Sequence, residues 1–197
     1  MGDRIHQVDQ AQLQASGAIV KPELIRRVTP FKHNYRGDYQ ALITALAAHQ
    51  GRNLQIVEDV VQAAGCADTG VLLVVSDRVS HCEAFARELD KRGLSVALLT
   101  GQTPPEKRID IVKRVQKGEL RILVATLQLI GEGFDCSGLS TLFLTTPITF
   151  EGRLLQILGR IMRPAAGKRA KVYDYVDESV SVLCRSAEIR RKVLAAL

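Results

Sequence analysis

Residues 71–125 read VLLVVSDRVSHCEAFARELDKRGLSVALLTGQTPPEKRIDIVKRVQKGELRILVA, and their periodicity decides the fold. Val71–Val75 is an unbroken apolar run rich in β-branched residues, as expected of a strand buried on both faces. Ser80-x-x-Glu83 has the spacing of a capping box, and Cys82, Phe85, Ala86 and Leu89 mark the buried stripe of the helix it opens. Gly93 closes that helix, and Leu94–Leu99 is a second strand. Thr103-Pro-Pro-Glu106 repeats the capping pattern with Pro104 at the first helical position. The helix that follows is expected to bury Ile109, Val112 and Val115 and to end at Gly118, before a third strand at Arg121–Ala125. Strand alternating with helix at this spacing specifies a parallel sheet with right-handed crossovers.

The pattern extends in both directions. Downstream, Thr141–Thr145 and Ala170–Tyr175 are strands, with a helix from about Glu151 to Met162 between them and a basic helix over Ser181–Ala196. Upstream, Tyr39, Leu42, Ile43 and Leu46 share one helical face. Gly51 marks a break, and Asn53 is placed to cap a second helix with Leu54, Val57, Val60, Val61 and Ala64 on its stripe. Residues 1–38 form a lead-in in which Leu24–Val28 is strand-like. The fold class is α/β: an open parallel sheet with helices on both faces, plus a short N-terminal lead-in.

The full chain is 197 residues, 46% hydrophobic and 24% charged, enough for one globular domain with its own core. Its 27 Lys+Arg against 21 Asp+Glu give a net charge of +6, a modest lean toward a polyanionic partner. No apolar stretch approaches the ~18 residues of a membrane span, and Met1 to Gln14 has no apolar signal core. Cys66, Cys82, Cys136 and Cys184 are scattered without a C-x-x-C, so they read as reduced thiols of a cytoplasmic protein. The histidines are scattered too, and His33 and His81 are expected in surface or capping roles.

Ligands of such sheets bind beyond the carboxyl ends of the strands. That directs attention to Ser76-Asp77, Thr100-Gly101, Thr126 and Thr145-Thr146. A phosphate loop of the form G-x-x-x-x-G-K-[ST] is missing, and the dinucleotide pattern fails because Cys136 stands where its third glycine belongs. The most informative helix carries Gln156-Ile-Leu-Gly159-Arg160-Ile-Met-Arg163-Pro164. Leu154, Ile157, Leu158, Ile161 and Met162 make its core stripe, which leaves Gln156, Arg160 and Arg163 in a row on another face. A guanidinium engages phosphate oxygens bidentately and never loses its charge. Gly159 weakens a helix by roughly 1 kcal/mol relative to Ala, a cost that suggests close approach of another group. By itself the row is equally a solvated basic face.

Ile122-Leu-Val-Ala-Thr126, Gly131-Glu-Gly-Phe-Asp135 and the Gln156–Arg163 helix, in this order, resemble motifs V and VI of superfamily 2 helicases. Val71–Val75 with Ser76 is similar to motif IV of that superfamily, and Leu99-Thr100-Gly101 to its Thr-Gly motif. The resemblance covers about residues 40–178 and is to the second, RecA-like motor domain of this DEAD/DEAH and repair-type superfamily. Tyr173-Asp-Tyr-Val-Asp177 resembles the branch of restriction-enzyme motor subunits and excision-repair-type helicases. The lead-in, residues 1–38, looks like the tail of a first motor domain and its linker, with residues 39–197 as the second.

The resemblance implies an ATP-dependent helicase or translocase with a split active site. A first RecA-like domain would hold ATP and Mg2+, and this domain would supply Arg160 and Arg163 as arginine fingers. Gln156 would sense the γ-phosphate, with Gly133 and Asp135 toward the ribose; Asp135 also suits the cap of the next element. Ser76, Thr100, Gly101 and Thr126 would hold a nucleic-acid backbone, DNA in preference to RNA, although Ser76, Thr100 and Thr126 equally suit capping. On this reading the chain alone hydrolyses no ATP. Lys168, Arg169 and the Arg190–Lys192 run are further candidates for a polyanion. The rival readings are a stand-alone α/β nucleic-acid-binding module and a small-cofactor enzyme.

Overall fold

The computed structural model describes residues 20–66, 69–131, 138–148, 151–163 and 168–196. Its strands are β1 (Glu23–Val28), β2 (Val71–Ser76), β3 (Val96–Leu99), β4 (Ile122–Thr126), β5 (Leu139–Leu144) and β6 (Lys171–Val176). Its helices are α1 (Tyr39–Ala48), α2 (Gln50–Ala64), α3 (Val79–Lys91), α4 (Pro105–Gln116), α5 (Leu127–Gly131), α6 (Glu151–Ile161) and α7 (Ser181–Ala195). All strand pairs are parallel, in the order β1-β6-β5-β2-β4-β3. The chain builds β2, β3 and β4 toward one edge, then crosses past β2 to place β5 and β6 between it and β1.

Alternation along the strands sorts the core into two layers. Leu73, Val75, Leu123, Ala125, Leu142 and Leu144 face one layer with Leu154, Ile157, Leu158 and Ile161 of α6 and Val193 and Leu194 of α7. Leu72, Val74, Ile122, Val124, Phe143 and Tyr175 face the other, with Ile56, Val57 and Val60 of α2 and Phe85 and Leu89 of α3. Phe31, Leu42, Ile43, Leu46, Val180 and Leu183 form a third cluster that seats α1 beside the start of α7.

Several local expectations are corrected. The helical break falls at His49, whose Nδ1 accepts the Arg52 N–H at 3.1 Å, so Asn53 lies inside α2 rather than at its cap. Neither capping box forms: α3 and α4 start at Val79 and Pro105, and no side chain caps either from its cap position. Ile109 and Leu54 are exposed, because the faces of α4 and α2 that meet the core are rotated away from them. Sequence periodicity also leaves out α5, a single turn that follows β4 directly.

The strand of the lead-in is part of the sheet, and buried carboxylates tie it and its neighbours to β6. Asp177, at the end of β6, accepts from Arg52 Nε at 2.7 Å, Arg52 Nη2 at 3.2 Å and Thr29 Oγ1 at 2.5 Å. Asp59 accepts from Arg27 Nε at 3.1 Å and from the Tyr175 hydroxyl at 3.0 Å. Asp174 accepts from Arg190 Nε at 2.6 Å. Arg190 is therefore removed from the polyanion candidates: it is 2% exposed and spent on β6. Burial pushes the Cys82 thiol up to about 12, which leaves it inert, while Cys66 and Cys184 are exposed thiols. Among the described residues no helix is long and apolar enough to cross a membrane, and no three His, Cys, Asp or Glu side chains cluster to hold a metal.

Arg52 is 1% exposed and depends on one carboxylate. Asp177→Ala strands that charge inside the domain and is expected to cost about 3–5 kcal/mol in urea unfolding. A loss well under about 1 kcal/mol would show the pair to be dispensable.

Candidate functional site

The carboxyl ends of the strands share one edge of the sheet, and register sets their heights. Ser76 pairs with Thr126, and Val75 with Leu144, so the loops after β2, β4 and β5 leave the sheet side by side. Thr145 Oγ1 donates to the Val75 carbonyl at 2.7 Å. The next hydroxyl, on Thr146, accepts the Asp77 N–H at 3.1 Å. The chain entering α6 is thus bound to the loop after β2.

On α6 the apolar stripe is buried as its spacing requires, with Leu154, Ile157, Leu158, Ile161 and Met162 all at most 7% exposed. Gln156 and Arg163 are exposed and Arg160 is half-buried. Arg160 Nη1 is buried and has no hydrogen-bond partner among the described residues. A Cβ built on Gly159 would meet nothing within 4 Å among the described residues, so none of them makes a close approach there. The end of the helix is held by its neighbours: the Met162 carbonyl accepts the Val20 N–H at 2.9 Å, and the Arg163 carbonyl accepts from Lys168 Nζ at 2.7 Å. Burial, with Arg163 nearby, lowers the Lys168 ammonium below its ordinary range. Gly133 and Asp135 lie outside the described residues.

The loop after β3 is a compact turn. The Thr100 N–H donates to Thr103 Oγ1 at 2.9 Å, and Thr100 Oγ1 accepts the Gln102 N–H at 3.2 Å. Arg108, from the first turns of α4, donates to the carbonyls of Thr103 at 2.8 Å and Gly101 at 3.2 Å. Gly101 is exposed, whereas Thr100 and Thr126 are 5% and 6% exposed. Sequence reading missed Arg108, since a cation on an amphipathic helix carries no sign that it reaches back to its preceding loop.

Ser76 closes a local turn onto Arg78 rather than capping α3. It is fully buried, and its Oγ accepts the Arg78 N–H at 3.1 Å while lying 3.0 Å from His81 Nδ1. Asn53 Nδ2 donates to the Ala47 carbonyl at 2.7 Å, which turns Asn53 Oδ1 toward His81 Nε2 at 3.0 Å. The proton of the neutral ring therefore sits on Nε2, and Nδ1 accepts from the Ser76 hydroxyl. Burial above all, with Arg52 adding to it, lowers His81 to about 3. The expectation of a surface or capping histidine is replaced by a buried, neutral link between β2 and α2.

This edge therefore presents an amide and two guanidiniums on an anchored helix beside loops fixed by main-chain hydrogen bonds. Residues 64–165 match the family described as Helicase conserved C-terminal domain, just over half of the chain. The chain belongs to this helicase C-terminal domain family. It is 30% identical over 97 residues to the probable helicase D10 of Escherichia phage T5, covering 49% of this chain and 22% of that protein. It is 41% identical over 54 residues to the ATP-dependent RNA helicase RhlB of Xanthomonas axonopodis pv. citri (strain 306), covering 27% of this chain and 10% of that protein. In fold it is similar to T4 UvsW, with a TM-score of 0.72 at 18% identity over 89% of this chain and 39% of that one. The chain spans under a quarter of the length of these two curated relatives. The RecA-like fold expected of a superfamily 2 helicase C-terminal domain is the fold observed.

Two measurements test the site's construction. Gly159→Ala is expected to stabilise the isolated chain by about 1 kcal/mol in urea unfolding, because the helix gains a better former and the space is open. A loss would mean the backbone there is packed. The pH dependence follows from His81. Between its unfolded value of about 6.5 and its folded value of about 3, the unfolded state binds a proton that the folded state refuses. Stability attributable to this ring is therefore full above that window and falls as pH drops through it, by about 1.4 kcal/mol per pH unit at most. Removing the imidazole should flatten that slope; an unchanged slope would place the proton elsewhere.

Proposed function

We propose that this chain is the second motor domain of an ATP-dependent nucleic-acid helicase or translocase, and that Arg160 and Arg163 reach ATP held mainly by a first motor domain. The observation that carries this reading is the outward row of Gln156, Arg160 and Arg163 on a helix whose opposite face is buried. The unpartnered Nη1 of Arg160 leaves this guanidinium a donor for a phosphate oxygen. Bound ATP would supply the phosphoryl group, with Mg2+ neutralising its charge from the first domain. The two guanidiniums would stabilise negative charge growing on the transferred group, and Gln156 would hydrogen-bond the γ-phosphate. Open space over Gly159 leaves room for that approach. Gly133 and Asp135 belong to this reading on the resemblance of their motif alone.

The same edge is proposed to grip a nucleic-acid backbone through the loops after β3 and β4. Gly101 offers exposed main chain and Thr100 shapes the turn that presents it, while Thr126, at the end of β4, belongs to this reading on the resemblance of its motif alone. Such contacts fix register without reading sequence. DNA is the proposed strand, on the resemblance of Tyr173–Asp177 to the restriction and repair branch. The named RNA helicase among the relatives makes RNA the necessary comparison.

Two experiments test this function. The 197-residue chain is expected to show no ATP turnover, since it has no phosphate loop of the usual form. In the protein that joins it to a first motor domain, Arg160→Ala or Arg163→Ala is expected to lower kcat by about 10³-fold or more. Normal turnover by either variant, or vigorous turnover by the chain alone, would overturn the assignment.

A further inference from the structure

Between β1 and α1, residues 29–37 read Thr-Pro-Phe-Lys-His-Asn-Tyr-Arg-Gly and contain no carboxylate. Exposure alternates along this segment. Phe31 is buried and His33 and Tyr35 are half-buried, whereas Lys32, Asn34 and Arg36 are exposed. The rings are held inward: Phe31 belongs to the cluster under α1, His33 stacks on it at 6.1 Å, and Tyr35 packs against the same cluster. Anchoring the rings leaves cation, amide and cation in a row, at most about 7 Å apart for each pair of residues. Neither Lys32 nor Arg36 forms an ion pair with another described residue.

The segment follows the carboxyl end of β1, so it lies on the same edge as the candidate loops. A direct contact joins the helix that follows it to them: Arg78, in the loop after β2, donates to the Gln40 side chain in the first turn of α1. Arg78 Nε is buried without a hydrogen-bond partner among the described residues. Burial and the Asp77 carboxylate raise the Tyr39 hydroxyl above its ordinary value, as expected of neighbours across this junction. Two carboxylates stand near. Asp38 is engaged as the N-cap of α1, accepting the Ala41 N–H at 2.9 Å, and Asp77 is exposed beside Arg78. The loops after β3, β4 and β2 succeed one another at about 4.8 Å per strand, and Arg78 passes that line on to α1 and the row before it.

We propose that Lys32, Asn34 and Arg36, continued by Arg78, form a second contact surface for a single nucleic-acid strand, extending the path that begins at Gly101. This rests on the nucleic-acid reading given above. Phosphates meet the two cations, and the amide has both donors and acceptors for the strand between them.

The test uses the 197-residue chain and fluorescein-labelled oligothymidylates of about 6 and about 15 nucleotides, a range that brackets the site sizes of single-strand grooves. With Lys32→Glu and Arg36→Glu together, affinity for the longer strand is expected to fall at least about fivefold, with that for the shorter changed less than about twofold. The dependence of log affinity on log salt should lose about 1.4 in slope, for two phosphate contacts to a single strand. Gly101→Glu should weaken both lengths. Lys113→Glu with Arg114→Glu, the same charge change on the last turn of α4 at the opposite end of the sheet, should weaken neither preferentially. Circular dichroism of each variant checks that it folds.

The second surface is overturned if the Lys32/Arg36 variant loses no more than the Lys113/Arg114 variant, or loses both lengths equally. Equal competition by polyglutamate of matched charge would also overturn it, in favour of an acidic protein partner. If Gly101→Glu is silent while the Lys32/Arg36 variant weakens binding, the path through Gly101 falls and the row stands alone. If the unaltered chain binds neither strand, the nucleic-acid reading fails and this surface fails with it.

Discussion

The central strand β2 is buried along its whole length and hydrogen-bonded on both edges, to β4 and to β5. That double pairing is the constraint on which the functional edge depends. A one-residue slip in a parallel pair would exchange the two core layers, placing Leu73 and Val75 where Leu72 and Val74 belong. Since such a slip is forbidden by packing, Ser76, Thr126 and the Thr145–Thr146 pair are held at one level. The loops that follow inherit their positions from it.

Beside that strand one buried polar chain is paired throughout. Ser76, His81, Asn53 and the Ala47 carbonyl form a chain of hydrogen bonds from the end of β2 to the end of α1. Each group in it has its partner, which is the condition under which a buried polar network rigidifies a fold instead of weakening it. The ion pairs of Asp59, Asp174 and Asp177 do the corresponding work at the other side, joining β1, α2 and α7 to β6. The Tyr173–Asp177 segment that suggested a branch of helicases is in the structure a set of anchors for the incoming strand. Arg27 of that strand meets Asp59 and Thr29 just after it meets Asp177, so β1 is bound to α2 and β6 by side chains as well as by strand pairing.

Much of the architecture was legible in periodicity. The six strands were found with their ends shifted by one or two residues, because apolar runs and amphipathic stripes report burial directly. The long helices were found likewise, except for the start of α2, which lies at Gln50 rather than beyond Asn53. The capping patterns at Ser80 and Thr103 were misleading, since hydroxyls near a helix start also serve turns: Thr103 Oγ1 closes the loop after β3 instead. Short polar residues satisfy whichever backbone donor the tertiary fold leaves nearest. The outward row of Gln156, Arg160 and Arg163 was legible for the opposite reason: one buried stripe on a helix fixes where every other residue points.

The sequence by itself determined the alternation of strand and helix, the parallel sheet, the buried stripe of α6 and the family resemblance, all of which are properties of local order and spacing. Tertiary structure decided which polar groups remain available. Ser76 and Arg190 look alike in the sequence to Gly101 and Arg160, as polar or permissive residues near strand ends and on basic helices. Their hydroxyl and guanidinium are consumed by His81 and Asp174, partners five and sixteen residues away that only the fold brings within hydrogen-bond distance. Arg190 is 2% exposed whereas Arg160 is half-buried at the surface, and Gly101 keeps an open surface. Availability depends on what else is buried nearby, and spacing along a chain carries no record of that.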